Sequence, residues 1–235
     1  MNDPLPYVIH SLGDSAAVLD FGNIIDKNIN EHVLRLFHHF KKKKHTAILD
    51  IVPAYSSLSF FYDVVEIKRT INNETAFEAI EKYIEQELQN ISENTITEKR
   101  SVRIPVCYSE TFAPDLALIA SEKNIPVEEI IRLHVSTRYK VYMIGFLPGF
   151  PYMGTVDERI AFPRKTAPRA VVPAGSVGIA GRQTGIYPLQ SPGGWQIIGR
   201  TPIKLFDKTK ENPVYLEPGD EVEFYSITED EFENY

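Results

Sequence analysis

Cysteine is almost missing: the 235-residue chain has one, Cys107. One thiol closes no internal disulfide, so stability must rest on packing and hydrogen bonding, and a reducing cytoplasm suits such a chain. Met1 is followed by Asn2, Asp3 and Pro4, with no basic-then-apolar secretion signal. No apolar run approaches the ~20 residues that a membrane-spanning helix needs. No G-x-x-x-x-G-K-[ST] occurs, which excludes a P-loop, and Gly178, Gly181 and Gly185 do not have dinucleotide-fold spacing. H-E-x-x-H, C-x-x-C and an EF-hand loop are also missing, so no dedicated metal ligands are expected. The net charge is −7, which argues against a general nucleic-acid binder.

Glycine is scarce outside one stretch. Ten of thirteen glycines and eight of sixteen prolines fall between Gly145 and Pro202. Glycine serves where backbone turns with φ > 0 or lies against something, and proline fixes φ and removes a donor. Such a stretch is no helix; it reads as short strands joined by specified turns. The same region is basic. From His134 to Lys204, nine Lys or Arg face two acids, a local charge of +7 that leaves −14 on the remainder. Two readings stand: an anion site, or a solvated face paired with the acidic half.

The rest of the chain shows ordinary periodicities. Tyr7–Leu12 and Ala16–Phe21 alternate around Gly13-Asp14 and read as strands. Ile29, Val33, Leu36, Phe37 and Phe40 recur at helical spacing, and that helix should end in Lys41–Lys44 at the negative end of its dipole. His38 and His39 are adjacent, point to different helix faces and make a poor metal pair. Ala47–Val52 and Leu58–Tyr62 read as strands. A second helix carries Phe77, Ile80, Ile84, Leu88 and Ile91, opened by capping-box spacing at Thr75–Glu78. The polar run Ser92–Arg100 reads as a linker, which gives an α+β N-terminal domain over 1–94, roughly ββαββα, and a second domain over 95–235. The second domain opens with a strand, Val102–Tyr108, and two short helices, Asp115–Lys123 and Val127–Val135. Strand and turn should follow to the end, with a last strand at Glu221–Tyr225; many short strands with Gly/Pro turns suggest a closed barrel.

Several motifs carry chemistry or imitate it. The two short helices imitate a helix-turn-helix, but the second would present Glu128 and Glu129 to phosphates. Ala174-Gly175-Ser176-Val177-Gly178 nearly matches a nucleophile elbow, yet strand-like Val-Gly-Ile-Ala follows where the elbow needs a helix. Ser176 therefore reads as part of a turn, with His134 as the only base to weigh beside it. Pro163-Arg164 and Pro168-Arg169 each stiffen the chain before a guanidinium, a planar fork suited to carboxylate or phosphate. The competing reading is a pair of structural ion pairs. Gly149-Phe150-Pro151-Tyr152 and Pro192-Gly193-Gly194-Trp195 set large aromatics on constrained loops, as pocket walls, interface anchors or caps on the barrel core.

These strings carry a likeness. GFLPGFPYMG, PR-x4-PR-x3-PAGSVGIAG, QTGIYP and SPGGWQIIGRTP closely resemble the allophanate hydrolase subunit 1 family, also described as carboxyltransferase subdomains C and D. GDSA at Gly13–Ala16 and VPAYSSL-x3-YD ending at Asp63 extend it over nearly the whole chain; Ala113, where the family usually has glycine, departs from it. The resemblance implies a cyclophilin-like β-barrel as the second domain. It also implies one of three roles: the B subunit of an ATP-dependent 5-oxoprolinase acting with subunits A and C, an inhibitor of a sensor histidine kinase, or half of a carboxyltransferase in biotin-dependent urea carboxylases. The first role implies ATP with Mg2+ in a site shared with a partner subunit. In that setting Arg164, Arg169 and Arg200 are candidates for phosphate or carboxylate contacts. Gln183, Thr184 and Tyr187 would orient the substrate, and His134 would relay a proton. Phe146, Phe150, Tyr152 and Trp195 would form a pocket wall or an interface.

Overall fold

The computed structural model describes residues 5–43, 45–72, 74–91 and 100–235. The chain divides into two compact units, 1–98 and 99–235. The boundary expected at 94/95, and all of the expected linker but Arg100, lie outside the described residues, as does Lys44.

In the first unit the alternating segments pair as an antiparallel hairpin, β1 (Val8–Ser11) and β2 (Ala16–Asp20), turned through Gly13 at φ +67°. The amphipathic α1 (Lys27–Lys43) buries Val33, Leu36, Phe37 and Phe40 and ends in Lys41–Lys43, cations that complement its dipole. Strands β3 (Ile48–Pro53) and β4 (Ser57–Tyr62) complete an antiparallel sheet of order β1-β2-β4-β3. A helix that periodicity did not suggest comes next, α2 (Val64–Thr70), started by Asp63, whose carboxylate accepts from the Val65 and Glu66 amides. The expected capping box at Thr75 and Glu78 opens α3 (Ala76–Gln89). Phe40 meets Phe60 edge to face at 4.8 Å between ring centroids, in a core with Leu19, Leu58, Ile80 and Ile84. Each such buried side chain contributes about 1.5–3 kcal/mol.

The second unit opens with β5 (Ser101–Cys107), α4 (Leu116–Lys123) and α5 (Val127–Val135). The strands that follow are β6 (Arg138–Ile144), β7 (Pro151–Gly154), β8 (Arg169–Val172), β9 (Ser176–Ala180) and β10 (Gln183–Ile186). After them come β11 (Ser191–Gly193), β12 (Gln196–Arg200) and β13 (Glu221–Ile227). Seven of the strands close a barrel of order β10-β7-β6-β13-β5-β12-β9. Its seam is β13 running parallel to β5, in register from Glu221↔Ser101 to Ile227↔Cys107. Val106, Tyr139, Val141, Ile179, Ile198 and Phe224 fill the interior, and Leu116 and Ile119 of α4 join the same core with Ile130 and Leu133 of α5. Strands β8 and β11 pair outside the barrel as a two-stranded ribbon. The expectation of strand and turn to the end needs one correction: α6 (Glu229–Glu233) follows β13, because Thr228 and Glu231 make a reciprocal capping box.

Candidate functional site

The Gly/Pro-rich stretch packs five aromatic side chains together on the barrel. Phe150 touches Tyr152, Tyr187 and Trp195 with ring centroids 4.8, 5.2 and 5.4 Å away. Phe146, held at φ +67° and largely exposed, stands edge-on to Phe150 and Tyr187. Glycine makes this possible. A Cβ on Gly185 would lie 2.9 Å from the Phe150 ring, and one on Gly193 would lie 2.4 Å from the Tyr187 hydroxyl. The rings lie flush on strands that carry no side chain there.

Cations border the aromatic patch. The Arg164 guanidinium lies over the Trp195 ring, 5.7 Å from its centroid. Arg164 and Arg169 both bear electrostatically on Tyr187, whose pKa is raised by burial and partly restored by the Trp195 backbone hydrogen bond and these two charges. Arg169 is anchored beneath. Its Nη2 donates to Asp115 Oδ1 at 2.6 Å, and Lys165 Nζ donates to the same oxygen at 2.9 Å. The other carboxylate oxygen accepts from the Ile197 amide at 2.7 Å. Lys165 also reaches Gln196 Oε1 at 3.4 Å, and Gln196 Nε2 donates to the Pro163 carbonyl. Burial pushes the Asp115 carboxyl upward, but the donors on it prevail and hold it below its ordinary range. Asp115 is thus a buried anion between two cations. Nη1 of Arg169 is buried and has no hydrogen-bond partner among the described residues.

His134 and Thr184 lie elsewhere, in the barrel interior, and both are fully buried. Thr184 Oγ1 donates to the Gly178 carbonyl at 3.1 Å. A hydroxyl has one proton, so toward His134 Nε2, 3.0 Å away, it acts as acceptor. The imidazole therefore carries its proton on Nε2, and Nδ1 accepts from the Tyr108 hydroxyl at 2.8 Å. The ring stacks on Phe224, and burial lowers its pKa to about 3. Both nitrogens are engaged within the core. A proton relay to a substrate at the barrel surface, and a Thr184 contact with that substrate, are not arrangements this geometry provides. Ser176, buried in β9, is not a partner of either His134 nitrogen.

Arg200 is also separate from the aromatic patch. Its Nε donates to the Ala174 carbonyl at 2.8 Å, and its guanidinium lies 5.8 and 5.9 Å from the Phe112 and Phe232 ring centroids. Gln183 is half-buried at the start of β10, opposite Gly154 and Ala180. The structure thus brings together Arg164, Arg169, Tyr187, Phe146, Phe150, Tyr152 and Trp195, and adds Asp115, Lys165 and Gln196. Asp115 was hidden by its position at a helix start, where an aspartate reads as a cap, although it makes no side-chain capping bond. The sign that could have revealed it is Lys165 beside Arg164, an excess of cations with no acid near in sequence.

Comparison with known proteins follows the same outline. The model of the carboxyltransferase domain, subdomains C and D, matches residues 7–216. The 5-oxoprolinase B subunit of Bacillus subtilis is 41% identical over 231 residues, covering 97% of this chain and 96% of that protein. The crystal structure of TTHA0988 superposes with a TM-score of 0.78 at 34% identity, over 90% of this chain and 40% of that one. The urea carboxylase of Kluyveromyces lactis shares the fold, with a TM-score of 0.75 at 22% identity over 97% of this chain and 22% of that one. With the match spanning both units, the chain belongs to the carboxyltransferase domain, subdomain C and D, family.

Proposed function

We propose that this chain is the B subunit of an ATP-dependent 5-oxoprolinase, which opens 5-oxo-L-proline to L-glutamate together with subunits A and C. The near full-length likeness to a 5-oxoprolinase B subunit supports that reading. The observation that carries it is the Asp115–Arg169–Lys165 cluster beside the Trp195–Tyr187 aromatic patch. A lactam is a sluggish electrophile, and its reaction gathers negative charge on oxygen. Fixed cations beside a water-poor aromatic wall stabilise such charge more than water does, because they need no reorganisation. One clustered aspartate against Lys165, Arg169 and Arg164 leaves a cationic excess for an anionic guest.

The residues fit an anion and do not fit Mg2+. Both Asp115 oxygens are committed, and among the described residues no group of three or more His, Cys, Asp or Glu could hold a metal ion. In this reading Mg-ATP is held chiefly by a partner subunit, which completes the site at the aromatic face. Reconstitution tests it. The purified chain should form no glutamate from 5-oxoproline, and the chain mixed with subunits A and C should do so only with ATP. Replacing Arg164 and Arg169 together by Ala should cost the complex at least about 100-fold, the scale of losing charged transition-state contacts. Full activity of that double variant would remove the cluster from the mechanism.

A further inference from the structure

We infer that the buried side of this cluster is the seat of the substrate's carboxylate rather than of a nucleotide phosphate, an inference that rests on the 5-oxoprolinase reading. The argument is a count of donors. A guanidinium has five N–H groups and an ammonium three. Arg169 spends Nη2 on Asp115, and its buried Nη1 has no partner among the described residues. Lys165 spends donors on Asp115 and Gln196, which leaves one. Arg169 Nη2 and Lys165 Nζ are held to one oxygen atom, so the two cationic heads are close neighbours. An orphaned buried donor is costly, and more so on a charged group, so a site built with one is built to receive an acceptor.

The number and setting of these donors define the acceptor. A carboxylate offers two coplanar oxygens and a single charge, which match a short fork of donors already half neutralised by Asp115. A triphosphate needs many more donors and a metal, and Asp115 has no free oxygen to ligate one. The neighbouring surface is aromatic: Phe146 is exposed and Tyr152 half-buried, backed by Trp195 and Tyr187, which are almost fully buried. Such a wall suits the face of a five-membered ring. Arg164 is exposed and lies over Trp195, at the solvent side of that wall, where it can close over the ring. The ligand class is therefore a small cyclic amide bearing one carboxylate, bound carboxylate inward with its amide toward the partner subunit. Asp115 is a positioning residue that aims Arg169.

The test compares 5-oxoproline with 2-pyrrolidinone, the same lactam without its carboxylate, in the reconstituted complex. The wild type should prefer 5-oxoproline. Arg169→Gln should raise KM for 5-oxoproline at least about tenfold, leave KM for ATP within about twofold, and abolish the preference, as expected when a charged hydrogen bond is lost. Arg169→Lys keeps the charge and guards against misfolding, and it should retain part of the preference. A rise in KM for ATP with KM for 5-oxoproline unchanged would overturn the assignment, as would an intact preference in folded Arg169→Gln. If the wild-type complex does not turn over 5-oxoproline, the functional reading fails by itself. Equilibrium binding of the two lactams to the full chain then decides the inference: selective binding of 5-oxoproline that Arg169→Gln removes supports it, and equal or absent binding of both overturns it.

Discussion

Gly193 is a residue for which no other side chain has room. An added Cβ would meet the Tyr187 hydroxyl at 2.4 Å and its ring at 2.7 Å, and that side chain is fixed in the aromatic patch. Gly193→Ala should cost about 1–3 kcal/mol by overpacking, read from urea unfolding. His134 makes a different prediction. Its proton sits on Nε2, so 15N spectra should show one protonated and one bare ring nitrogen at neutral pH. Its folded pKa of about 3 is far below the ordinary 6.5, because burial disfavours the cation. Between those values the unfolded chain binds a proton that the folded chain refuses. Stability from this group is therefore complete above pH 6.5 and falls as the pH drops toward 3, by up to about 1.4 kcal/mol per unit. Asp115, held below its ordinary range, adds a loss of the same sign at lower pH. Urea titrations at pH 7, 6 and 5 measure the slope, and His134→Gln should lower it by about one proton. Much at this scale was legible in the chain. The glycines announced close approach, and Gly175 at φ +82° and Gly193 show it. What the cations do was not legible: Arg169 turns on Asp115, 54 residues away, and Arg200 on two phenylalanines.

At the scale of the element, caps explain both what was visible and what was missed. Thr75–Glu78 announced α3 because a long apolar stripe followed it. Asp63 and Glu66 stand at the same spacing before α2, but seven residues led by two valines give no stripe to confirm it. Thr228–Glu231 marks α6 in the same way, with a helix of five residues behind it. Short helices depend on their caps more than on their pattern. Asp63→Ala should therefore destabilise the first unit by about 1 kcal/mol, seen as a lower urea midpoint with unchanged slope. The barrel strands were legible as a class and not in their order, since pairing β5 with β13 joins segments that no local signal connects.

Each unit of the molecule has its own core, one built on Phe40, Phe60 and Ile84, the other on Tyr139, Ile179 and Phe224. The closure of the second core rests on β13. A chain ending at residue 220 should leave an open sheet and admit water to Ile104 and Tyr139, both fully buried in the barrel core beside β13. Binding of an apolar dye such as 1-anilinonaphthalene-8-sulfonate should then rise against the intact chain; unchanged dye binding would show the barrel standing without its seam.

The parallel seam also sets a timetable. A ribosome releases β5 some 120 residues before the strand that must lie beside it. The first unit has its β1–β4 sheet in hand by then, while the barrel waits, edge unpaired, for β13. Nascent chains of this kind should be most prone to aggregation, and most in need of chaperone cover, in that interval.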